Sequence, residues 1–162
     1  GTSYVGPGTG RDTVLPLALS FGVAAQVTEI PHRLGHLESL RLQSEADVLL
    51  LPGSSDAAYS PSKVYPYFLG DRPILGLVFT DSVLARLLEE LNCAHLVGFT
   101  AGQSAQPAHE ALCHFFDLAC DGFPAGSLPE RRTDHFNAHY LADTLTARQC
   151  ALFNQAFAPS PS

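Results

Sequence analysis

Three stretches of the chain are apolar at almost every position: Ala46–Leu51, Pro73–Val78 and Ala94–Phe99. Runs of this length and density predict strands buried on both faces of a parallel sheet. Between them the apolar positions recur at helical spacing. Val14, Leu15, Leu17, Ala18 and Phe21 share one face and predict a helix over Arg11–Phe21, ended by Gly22. Leu37, Leu40 and Leu42 predict a helix over Leu37–Ser44, preceded by a short strand at Val27–Ile30 and a turn at Pro31–Gly35. Ser60 and Pro61 read as N-cap and first residue of a helix that runs to Leu69 and stops at Gly70. Asp81-Ser82 caps a helix to about Asn92, Ala105–Leu118 is helical, and Asp121–Arg131 is loop. Thr133–Phe157 is helical with a break expected near Leu145. Strand and helix thus alternate. The expected fold is α/β, an open parallel sheet with helices on both faces. No repeat or linker divides it, so residues 1–157 read as one domain and 158–162 as a flexible tail.

Composition narrows the function classes. The chain has 162 residues, 46% hydrophobic and 15% charged, which supports a packed core and argues against disorder. Sixteen acidic and nine basic residues give −7, which leaves no basic stripe for nucleic acid. No apolar run is long enough for a transmembrane segment, and no signal-peptide pattern is present, so the expected location is cytoplasmic. Cys93, Cys113, Cys120 and Cys150 have no CxxC spacing and read as small buried thiols. Cys113 and Cys120 lie seven apart, which predicts one helix face turned to the core. The opening Gly1-Thr-Ser-Tyr-Val-Gly and the absence of Met suggest a fragment of a longer protein.

In such a sheet, ligands bind beyond the carboxyl ends of the strands. Three loops qualify: Gly1–Gly10, Pro31–Gly35 and Pro52–Ser62. The last is the strongest. Ser60, Ser62 and Lys63 surround a predicted helix N-terminus, where backbone N–H groups carry partial positive charge and suit a phosphate. Lys63 on a first turn is disfavoured by the dipole and is explained by a compensating anion, or simply by solvent. His32 and Arg33 follow a strand end, where arginine reaches anions and histidine stacks on bases, or where both are turn residues. Asp56 is the sole carboxylate of the Pro52–Ser62 loop. His135 and His139 are four apart with Asp134 and Asp143 nearby, but no HExxH or cysteine partner supports a zinc site, and the bland reading is a surface helix. GxSxG and GxxxxGK[ST] are both absent.

Across Asp47–Leu75 the residues match a more specific pattern. ADV, an apolar run and Pro52 lead to SPSKVYPYFLGDRPILGL, where Ser62-Lys63 is followed by aromatic Tyr65 and Tyr67. This resembles the C-terminal domain of retaining glycosyltransferases with the GT-B fold, which reads like SxKxxEYxAxGxPVxA. Gly1–Val23 resembles that family's glycine loop and first helix, Val27–Leu51 its next unit, and Phe136–Phe157 its final helices. The resemblance implies a nucleotide-diphospho-sugar donor. It places Gly1, Ser60, Ser62, Lys63 and Tyr65 at the nucleotide and its diphosphate, His32 and Arg33 near the base, and Asp56 close to the donor sugar. Asp56 and Lys63 would then be the catalytic pair. It also implies an N-terminal acceptor domain elsewhere in the same protein, without which this piece would be inactive.

One departure stands out. Where the family has a ribose-binding Glu, this chain has Pro66, which lacks an acceptor and removes an N–H inside the expected helix. That favours an alternative reading: a degenerate nucleotide-binding or assembly module of the same fold. With no DxD pair in a strand-end loop, the expected transfer is metal-independent and needs no cofactor beyond the donor substrate. A flavodoxin-like or response-regulator-like domain would need an acidic cluster or a flavin loop at the strand ends, and neither is seen.

Overall fold

The computed structural model describes residues 11–157. The expected glycine loop 1–10, with Gly1, and the tail 158–162 lie outside the described residues. The chain falls into two compact units with the boundary between Leu42 and Gln43.

The first unit is built around a short helix, α1 (Leu15–Ser20), with Pro16 in its first turn. It ends as the glycine predicted. Gly22 takes φ 71°, Gly22 N donates to Leu19 O and Val23 N to Ala18 O, the paired bonds of a Schellman stop. A 3-10 turn follows at Ala24–Gln26. The strand expected at Val27–Ile30 does not form. Val27 N closes the 3-10 turn on Ala24 O. Glu29 turns its side chain back sixteen residues to the start of α1, where its carboxylate accepts from the N–H groups of Thr13 (2.7 Å), Val14 (2.9 Å) and Leu15 (2.8 Å) and from the Thr13 hydroxyl (2.8 Å). Four residues without a ladder partner do not make a strand. Helix α2 (His36–Glu45) follows and runs across the boundary, with Leu37, Leu40 and Leu42 all exposed.

The second unit is a three-stranded parallel sheet, β1 (Leu49–Pro52), β2 (Ile74–Phe79) and β3 (His95–Phe99), in the order β1-β2-β3. Leu51 pairs with Gly76, and Val78 with Gly98. The central strand alternates between two cores. Ile74 and Val78 face one core, with Leu49 and Leu51 of β1, Val64 and Phe68 of α3 (Val64–Leu69), and Leu84, Leu87, Leu88 and Leu91 of α4 (Val83–Leu91). Leu75 faces the other with Val97 of β3 and Phe115 of α5 (Gln106–Asp121). Helices thus cover both faces, α3 and α4 on one and α5 on the other, an α/β arrangement compatible with a Rossmann-like fold. Gly76 gives room on the α4 side, since a Cβ there would stand 3.0 Å from both Leu88 Cδ1 and Leu96 Cδ2 and would press on both side chains.

Helix α4 follows the sequence closely. Ser82 Oγ accepts from Ala85 N at 3.1 Å as N-cap, and Asn92 closes the helix at φ 46°. Helix α3 starts later than expected, at Val64, with Lys63 in the N-cap position and no side-chain cap. Pro66 is therefore the third helical residue, where no intrahelical N–H bond is lost, and the first helical bond runs from Tyr67 N to Lys63 O.

The C-terminal pair is α6 (Thr133–Tyr140) and α7 (Ala142–Ala156). The break falls at Leu141, which is extended (ψ 140°), rather than near Leu145. Asp143 lies in the first turn of α7, and its neighbours Thr144 and Arg148 donate to the α6 carbonyls of Asn137 and Ala138. Helix α6 docks through Phe136, which stacks on Phe68 at 4.1 Å and 6°. Arg131 closes the same end. Its guanidinium donates to Phe68 O and Arg72 O, both at 2.6 Å, and burial lowers its pKa. Of the cysteines only Cys93 is buried, and burial pushes its thiol up to about 11. Cys113 and Cys120 are exposed, a correction to the expected core face. Helix α5 instead turns Ala108, Ala111, Leu112, Phe115 and Ala119 to the sheet, because Phe115 buries far more apolar area than a thiol.

The donors around Glu29 hold its carboxyl down at about 2, with the Leu15 N–H the largest cause. A carboxyl lowered from 4.5 contributes stability that is present above 4.5 and lost as the pH falls through about 2. NMR titration of the Glu29 carboxyl should give a midpoint near 2, and Glu29→Gln should remove the acid-labile fraction of α1 helicity. A midpoint at the ordinary glutamate value would show that the cap is not held.

Candidate functional site

The carboxyl ends of the three strands carry three connections: residues 53–63 after β1, Thr80–Ser82 after β2, and residues 100–105 after β3. The first is the expected loop, and it is fixed along its length. Gly53 N donates to Leu77 O at 2.6 Å, continuing the ladder past the strand. A Cβ at Gly53 would lie 2.8 Å from that same oxygen, so only glycine fits the close approach. Asp56 N donates to the Ser54 hydroxyl, Ala58 N donates to Asp56 Oδ1 at 2.9 Å, and Tyr59 N donates to Asp56 O. Ala57 O accepts from Val83 N at 2.8 Å, which ties the loop to the start of α4.

Beyond this tether the chain presents Ser60, Ser62 and Lys63, all exposed. Lys63 is the sole cation of the loop. The expectation that a helix start supplies free backbone N–H groups here is corrected. Val64 N donates to Pro61 O, Tyr65 N donates to Ser62 O, and Pro66 has none. The first turn of α4 is likewise engaged, Val83 N by Ala57 O and Ala85 N by Ser82 Oγ. The exposed Ser60, Ser62 and Lys63 present two hydroxyls and one ammonium group at this edge.

Tyr65 was expected at the nucleotide. Its ring packs in the aromatic group under α6, 5.5 Å from Tyr140 and 6.4 Å from Phe136. Residues His32 and Arg33 belong to the first unit, are exposed, and do not follow a strand. Gly1 lies outside the described residues.

Sequence reasoning passed over the other two strand-end connections. Thr80 N and Thr80 Oγ1 both donate to Phe99 O, at 3.0 and 3.2 Å, which clamps the ends of β2 and β3 together. The Thr100 hydroxyl bonds the Gln103 side chain, and Ser104 Oγ accepts from Gln106 N. Phe79 and Phe99 pair at 5.8 Å below them. The signal was a threonine directly after each buried run, at Thr80 and Thr100.

Two other groupings do not make a site. A cavity of about 250 Å³ is lined by Asp71, Pro73, Ile74, Cys93, Leu128, Pro129 and Arg131, at the amino ends of the strands. Its cation already serves two carbonyls, and its thiol is held neutral by burial. His135 and His139 stack at 4.4 Å, but His135 Nε2 bonds Glu90 at 2.5 Å and Tyr140 OH donates to the same carboxylate. The His135 bond lowers the Glu90 pKa. Among the described residues no group of three or more His, Cys, Asp or Glu is placed to hold a metal, and no helix is long and apolar enough to cross a membrane.

No family model, no curated protein and no solved structure matches the chain.

Gly53→Ala should push the loop off Leu77 O and cost about 1–3 kcal/mol in denaturant unfolding, the usual range for forcing atoms into a filled space. Unchanged stability would mean that the loop tether carries no strain-sensitive contact.

Proposed function

We propose that this chain is the donor-binding domain of a glycosyltransferase, and that it holds the diphosphate of a nucleotide-diphospho-sugar at the β1–α3 loop. The observation that carries the reading is the exposed Ser60, Ser62 and Lys63 set. It lies on a hydrogen-bonded loop beyond the carboxyl end of a parallel strand, the position at which open α/β sheets take ligands. The resemblance of SPSKVYPYFLGDRPILGL to the retaining GT-B donor motif supports the same site. In this reading Lys63 offsets the charge that develops on the leaving diphosphate, and the serine hydroxyls donate to its oxygens. The resemblance makes transfer retaining, and the lack of a DxD pair in a strand-end loop favours a metal-independent mechanism. An acceptor domain elsewhere in the protein completes the enzyme.

A second reading rests on Pro66. The ribose-binding Glu of the family pattern is replaced at the third residue of α3, a position that accepts an acidic side chain without conformational cost. In this reading the chain binds nucleotide weakly or serves in assembly.

Calorimetric titration with UDP, GDP, TDP and ADP, with and without Mg²⁺, separates the two. The donor reading expects one nucleotide to bind saturably and independently of Mg²⁺, and Lys63→Ala to weaken that binding by about 1–3 kcal/mol. Unchanged affinity in Lys63→Ala would remove this loop from the site. No binding by wild type, with affinity gained in Pro66→Glu, would favour the degenerate module.

A further inference from the structure

We infer that Asp56 acts as a positioning residue and does not touch the donor. Its functional readout rests on the nucleotide-binding reading above. The resemblance sets Asp56 beside the donor sugar, but the structure engages it within the loop on three sides. Its N–H donates to the Ser54 hydroxyl at 3.2 Å, its Oδ1 accepts from Ala58 N at 2.9 Å, and its carbonyl accepts from Tyr59 N at 3.1 Å. The bond to Ala58 N orients the neighbouring Ala57 carbonyl, which accepts from Val83 N at 2.8 Å. Gly53 N on Leu77 O anchors the other end. One carboxylate oxygen therefore helps set the path of the chain between two fixed points. Ser60, Ser62 and Lys63 follow in the same loop.

The electrostatics agree. A carboxylate four residues before Ser60 carries the same sign as a diphosphate, and on an exposed loop it opposes that anion rather than helping it. What the loop takes from Asp56 is an acceptor, and a neutral acceptor serves equally well. Asparagine keeps an Oδ1 for Ala58 N and also favours such turns.

The test compares Asp56→Asn with Asp56→Ala in the intact chain. It uses titration with the four nucleoside diphosphates and amide hydrogen exchange at Ala58. Asp56→Asn is expected to bind as tightly as wild type or more tightly, with Ala58 still protected. Asp56→Ala is expected to bind about fivefold more weakly, with Ala58 exchanging about fivefold faster, the effect of one lost hydrogen bond. Equal loss of affinity in both variants with Ala58 still protected would show the carboxylate contacting the ligand and overturn the inference. So would Ala58 exchange unchanged in Asp56→Ala. If wild type binds none of the nucleotides, the donor reading falls, and Ala58 exchange in the two variants still decides the role of Asp56.

Discussion

The second unit depends on β2 burying both of its faces. A strand paired on both edges and covered on both sides leaves its neighbours little freedom. Ile74 and Val78 require an apolar helix face on one side, and the leucines of α4 supply it. Leu75 requires another on the opposite side, and Phe115 supplies it. Gly76 leaves space over the strand for the side chains of Leu88 and Leu96, each 3.0 Å from where a Cβ would stand. Because interiors are packed to crystal-like density, a side chain added there would have to displace one of these contacts.

The two ends of the sheet then serve different purposes. At the amino end the structure closes. Phe136 lies flat on Phe68, Arg131 gathers the carbonyls that end α3 and the turn after it, and Asn92 bonds Glu130 O so that the connection to α6 folds back on α4. Cys93 is sealed among these groups. At the carboxyl end the structure stays open and polar. Its hydrogen bonds tie loop to strand and loop to helix rather than filling a core. Rigid elements that present a short polar loop are the usual way in which α/β folds keep a binding edge apart from the region that provides stability.

This separation shapes the chemistry available. With the Val64, Tyr65, Val83 and Ala85 N–H groups engaged, the exposed Ser60, Ser62 and Lys63 would offer an anion two hydroxyls and one ammonium group. A chain with a formal charge of −7 gives no long-range attraction to such a ligand. On the proposed donor reading, recognition would rest on short-range, charge-assisted contacts, whose strength depends on geometry. That geometry is set by Gly53, Asp56 and Ala57 upstream of the groups that would make the contacts.

Much of this was legible in the chain. Continuous apolar runs located all three strands, but burial on both faces holds for β2 alone: in β1 Leu49 and Leu51 are buried while Leu50 and Pro52 are exposed, a correction to the expected two-sided burial. Ser82, Asn92 and Gly22 marked helix ends by local hydrogen bonding and backbone preference, which need no distant partner. The sequence also identified the loop after β1. What it misplaced were features decided by distant partners. Val27–Ile30 has strand-like residues, but Glu29 found the N–H groups of α1 and no neighbouring strand paired with it. Cys113 and Cys120 have the right spacing for a core face, yet Phe115 determined which face of α5 turned inward. The break before α7 fell at Leu141, which packs against the main core, and not near Leu145. Ser60 looks like a cap and Tyr65 like a ligand contact. The turns at Pro61 and Ser62 delayed the helix, and the Phe136–Tyr140 aromatics took the ring. Local propensity is written in adjacent residues and can be read from them, whereas the partner of an exposed carboxylate or an aromatic ring is settled only when distant segments compete for it.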